Sequence, residues 1–131
     1  MAIRGLVFVL AKIPARLTGI AKGRFYMTDK LLVLTTTGSD TEARKIADAL
    51  VERRLAACVN IVPKIRSVYR WKGKVETAEE FLLVIKTTRS QEQDVQSAIR
   101  ELHSYELPEC IVVSIEGGSK EYLNWITESV S

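Results

Sequence analysis

The chemistry open to this chain is bounded by one histidine, His103, and two cysteines, Cys58 and Cys110. A Ser-His-Asp or Cys-His mechanism needs a base beside its nucleophile, and that base could only be His103. The sequence shows no such pairing, and no catalysis is read from it. The cysteines stand at the first residues of what read as two edge strands. Three strand spacings of about 4.8 Å put them roughly 14 Å apart, twice the reach of about 7 Å that a disulfide allows. Small buried hydrophobes are the expected role for both, beside a metal-ligand role for Cys58.

The elements that must position these residues are organised by a hairpin. "LAACVNIVPKIRSVYRW" and "KVETAEEFLLVIK" are rich in β-branched and aromatic residues, and only Lys72 and Gly73 separate Trp71 from Lys74. Each arm can extend about 14 residues, on the order of 45 Å, whereas a domain of about 100 residues has a radius of gyration near 13 Å. The hairpin should outrun its own domain. Pro63 in the first arm predicts a bulge or an unpaired edge.

Before the hairpin, Leu31 to Thr37 reads as a buried strand. Ser39 and Glu42 form a capping box ahead of a helical face at Ala43, Ile46, Ala47, Leu50 and Val51, which ends near Arg54. The same grammar returns after Thr88, where Ser90 and Gln93 cap and Val95, Ala98, Ile99 and Leu102 mark a second face. Cys110 to Glu116 gives a fourth strand, and Tyr122, Leu123 and Ile126 a short terminal helix. "LVLTTT" and "LVIKTT" begin two similar βαβ halves. Right-handed crossovers in both put strands one and three in the centre and strands two and four at the edges. The expected fold is a ferredoxin-like α+β sandwich, β-α-β-β-α-β plus a C-terminal helix, with an antiparallel sheet. Acylphosphatases share that fold but need an arginine in the loop after the first strand, where Thr37, Gly38, Ser39 and Asp40 stand here.

Composition sets the remaining bounds. The chain has 131 residues, 47% hydrophobic and 27% charged, an ordinary balance for one domain. Its net charge of +3 arises in the first 26 residues, where Arg4, Lys12, Arg16, Lys22 and Arg24 meet no acid. The rest holds 14 basic against 16 acidic residues, not a nucleic-acid-binding charge. No apolar run is long enough to span a membrane, and a cytoplasmic location is expected. Residues 1–28 read as a weakly structured N-terminal extension, with Met27 as the natural start, and residues 29–131 as the folded domain.

From about Lys30 to Ser129 the chain resembles the CutA divalent-cation tolerance family. The resemblance rests on "LAACVNI" at Leu55, "SVYRWKGKVE" at Ser67, "IKT" at Ile85, "LHSYELPE" at Leu102 and "YLNWI" at Tyr122, in the family's order and spacing. It implies a ferredoxin-like homotrimer, a role in the response to metal ions, and a loose association with copper and other divalent metals. No reaction is implied. Metal ligands proposed in some members, a first-strand cysteine and a histidine doublet, fall here on Thr35, Leu102 and His103. His103 alone would make a weak surface site unless chains share ligands; its other reading is a histidine at a helix end, where the dipole favours a cation. Where the family reads His-Pro-Tyr, His103, Ser104 and Tyr105 replace a rigid turn with a more flexible one.

A trimer gives two further groups of residues a role. Ile65, Val68, Tyr69 and Trp71 lie on the protruding arm and are the expected subunit contacts. Trp71, Lys86, Tyr105 and Glu106, with His103, sit at strand and helix ends, where subunit clefts would gather them. Such a cleft could bind a small anionic effector, as in the similarly folded PII-like signalling trimers, or these residues could serve as inter-subunit hydrogen bonds and ion pairs.

Overall fold

A computed structural model describes residues 28–131. The expected N-terminal extension, Thr28 apart, lies outside the described residues. In chain order the elements are β1 (Lys30–Thr37), α1 (Asp40–Glu52), β2 (Cys58–Trp71), β3 (Lys74–Thr88), α2 (Glu92–Leu102), β4 (Ile111–Ser114) and α3 (Lys120–Ser129), with a 3-10 turn (Arg89–Gln91) leading into α2. The sheet order is β2-β3-β1-β4, and every pairing is antiparallel. This is the expected ferredoxin-like fold, with β1 and β3 central.

One face of the sheet carries the core. Val33, Leu83 and Ile85 lie in register with Val59, Ile61 and Val112, and Ala43, Ile46, Ala47 and Leu50 of α1 and Val95, Ala98 and Ile99 of α2 cover them. The helical spacing of those residues puts one apolar stripe of each helix on the sheet. α3 packs against β1 and β3 with Ile126 fully buried. Its end is tied back by the Ser131 N–H, which donates to the Arg54 carbonyl at 3.2 Å.

The caps differ from the expectation. Ser39 does accept from the Glu42 N–H at 3.1 Å, but the Glu42 carboxylate turns to Ser104, accepting its N–H at 2.6 Å and its hydroxyl at 2.9 Å. Ser104 offers that carboxylate two donors, an N–H and a hydroxyl, where the Ser39 backbone offers one. Ser90 falls in the 3-10 turn and meets Thr88 Oγ1, and α2 has no side-chain cap.

The opposite face of the sheet is less covered. Leu32, Leu34, Leu82 and Val84 share it with Ile111, Val113 and Val62, of which the last three are 50%, 42% and 41% exposed. Beyond the Thr37–Phe81 pair β3 has only β2 as a neighbour, so Lys74–Glu80 and the β2 residues opposite form a two-stranded ribbon. Seven residues reach about 23 Å. Lys72 (φ 51°) and Gly73 (φ 82°) close it as a type I′ turn. The register shifts between Val62 and Ile65, where Lys64 takes a left-handed φ of 60° beside Pro63.

That bulge exchanges the faces. Before it Val59 and Ile61 point to the helices. After it Ile65, Ser67, Tyr69 and Trp71 share the open face with Glu80, while Arg66, Val68 and Arg70 point the other way. The four residues expected to form one subunit contact are thereby split, with Val68 parted from Ile65, Tyr69 and Trp71.

Candidate functional site

Where the ribbon leaves the domain, the turn after α2 folds beneath it and leaves a cleft of about 710 Å³. Tyr69 and Trp71 come from β2, Glu80 from β3, and Tyr105, Glu106 and Glu109 from the turn. Glu80 is only 7% exposed. Its Oε2 accepts the Tyr105 hydroxyl at 2.7 Å. To reach it the phenol crosses the end of β1 over Gly38, where a Cβ would meet the hydroxyl at 3.1 Å. Burial, then the hydrogen bond to Glu80 and its charge, push the Tyr105 phenol far above its usual range.

His103 anchors that turn from inside. Its side chain is fully buried. The ring donates from Nε2 to the Thr36 carbonyl at 2.6 Å, and its Nδ1 accepts the Tyr105 N–H at 3.1 Å with Glu42 Oε2 3.4 Å away. A metal at His103 would have to take the lone pair that holds Tyr105 or displace the proton given to Thr36. The expected exposed site is therefore not what this geometry offers, and the ring's place at the helix end serves hydrogen bonding.

The remaining expected ligands lie elsewhere. Leu102 packs on the core. Thr35 is fully buried, and its Oγ1 finds no partner among the described residues; a thiol loses less when buried unpaired, which suits that position to cysteine. Cys58 is half-buried on the open face, where Lys86 Nζ lies 3.8 Å from its sulfur and also bonds Asn60 Oδ1. Cys110 packs against the core, and burial raises its thiol pKa. Both thiols are free, on opposite edges of the sheet. Among the described residues no three His, Cys, Asp or Glu are grouped to hold a metal ion, so a metal bound by this chain's described residues would meet fewer than three of these donors, a weak seat.

Of the expected cleft residues, Trp71, Tyr105 and Glu106 do meet, while Lys86 does not line the cleft. Lys86 pairs with Leu32 and Cys58, six residues along β3 from Glu80. Glu80 and Glu109 were not foreseen. In "AEEFLL" the pleat sends Glu79 and Glu80 to opposite faces, and only the tertiary packing buries one of them. The cleft thus gathers three carboxylates from this chain and none of its Lys, Arg or His, a poor seat for an anion.

Burial, and then the charge of Glu80, raise the Glu109 pKa. A carboxyl raised in this way favours folding below the ordinary carboxylate range, and that contribution is lost as pH rises through its folded value. Glu109→Gln is therefore expected to melt at or slightly above wild type at pH 7, by about a degree or two, and to lose the advantage near pH 4. A clear loss of melting temperature at pH 7 would show that the carboxylate has a stabilising partner.

Comparison with known proteins agrees with this architecture. Residues 31–129 match the family profile described as "CutA1 divalent ion tolerance protein". A divalent-cation tolerance protein CutA from Thermus thermophilus is 47% identical over 98 residues, covering 75% of this chain and 95% of the relative. The chloroplastic protein CutA of Arabidopsis thaliana is 42% identical over 99 residues, 76% of this chain and 54% of its own. Among solved structures, the periplasmic divalent cation tolerance protein CutA of Archaeoglobus fulgidus superposes with a TM-score of 0.76 at 41% identity, covering 78% of this chain and 99% of that one.

Proposed function

Because the chain belongs to the CutA1 divalent ion tolerance family, we propose that it is a homotrimeric divalent-cation tolerance protein that binds copper or other divalent metals weakly and catalyses no reaction of its own. The observation that carries the assembly is the open face of the sheet. Val62, Ile111 and Val113 are exposed there, and the ribbon extends the same face with Ile65, Tyr69 and Trp71. A two-stranded ribbon is marginal alone in water, and a long exposed edge invites pairing. Contacts between unlike patches close as a ring, for which the family resemblance supplies the number three. The names of the relatives support the tolerance role. Free thiols at Cys58 and Cys110 fit a reducing compartment, and we place the protein in the cytoplasm, although the named relatives include chloroplastic and periplasmic ones. No helix of the described residues is long and apolar enough to cross a membrane.

The metal part is tested by titrating copper(II) into the protein by calorimetry. Since both ring nitrogens of His103 are engaged, weak binding of equal strength in wild type and His103→Ala is expected. Affinity that falls in the variant, and fades in wild type below about pH 6.5, would instead make the imidazole a ligand.

The three carboxylates that this chain brings to the cleft weigh against an anionic effector of the PII-like kind.

A further inference from the structure

We draw no further inference here: the strongest candidate, the exposed aromatic patch that Tyr122 and Trp125 form on α3 with their rings 5.3 Å apart, carries nothing because nothing in the structure shows what covers it.

Discussion

Ile111→Asp is expected to convert a particle of about three chain masses, each 14.7 kDa, into one of a single chain mass that remains folded. In the isolated chain Ile111 is 50% exposed, on the short edge strand β4, and an aspartate there costs that chain little. Opposite it stands Leu34 and beside that Val84, on the open apolar face. A partner laid on this face would bury the new carboxylate unpaired, at a cost of several kcal/mol, enough to shift an association equilibrium by orders of magnitude. Trp71→Asp should act in the same direction at the far end of the face. Light scattering over a dilution series reads both. Circular dichroism separates dissociation from unfolding. Wild-type protein that is monomeric and well folded at every concentration would refute the ring, and so would an Ile111→Asp variant that keeps the wild-type mass.

The second large effect is on stability. His103→Ala should lower the melting temperature by about ten degrees or more, a loss of about 2–4 kcal/mol in a domain of this size. The substitution empties a fully buried site, leaves the Thr36 carbonyl and the Tyr105 N–H without their partner, and removes a ring packed 4.6 Å from that of Tyr105. The turn that it holds carries Tyr105 and Glu106 into the cleft, so amide exchange from Ser104 to Glu109 should quicken more than in the helices. Glu42→Gln should have a smaller effect of the same sign, since an amide oxygen can still accept from Ser104. A melting temperature within about two degrees of wild type would mean that His103 is not the anchor.

The site was less legible than the fold, and particular residues show why. Ser39, the spacing of Ala43, Ile46 and Leu50, and the Lys72–Gly73 turn are signals confined to a few neighbouring residues, and each reappears in the structure. The role of His103 could not be read in this way. Its partners on Thr36 and Tyr105 include one 67 residues away, and nothing in its surroundings marks the imidazole as buried. Lys86 shares a strand with Glu80, and only the place where the turn after α2 folds decides which of them meets Tyr105.

The amino-acid sequence by itself determined the order of the elements, the antiparallel sheet with its two central strands, and the long hairpin with a break at Pro63. Periodicity and turn chemistry are local and carry that information directly. Only the tertiary structure decided which side of the pleat each hairpin residue occupies. One irregular step at Pro63 and Lys64 moves every later side chain of β2 to the other face. It puts Ile65, Tyr69 and Trp71 on the open face of the sheet and turns Val68 to the other. Composition cannot foresee this, because a bulge alters the register of the strand without altering the alternation on either side of it.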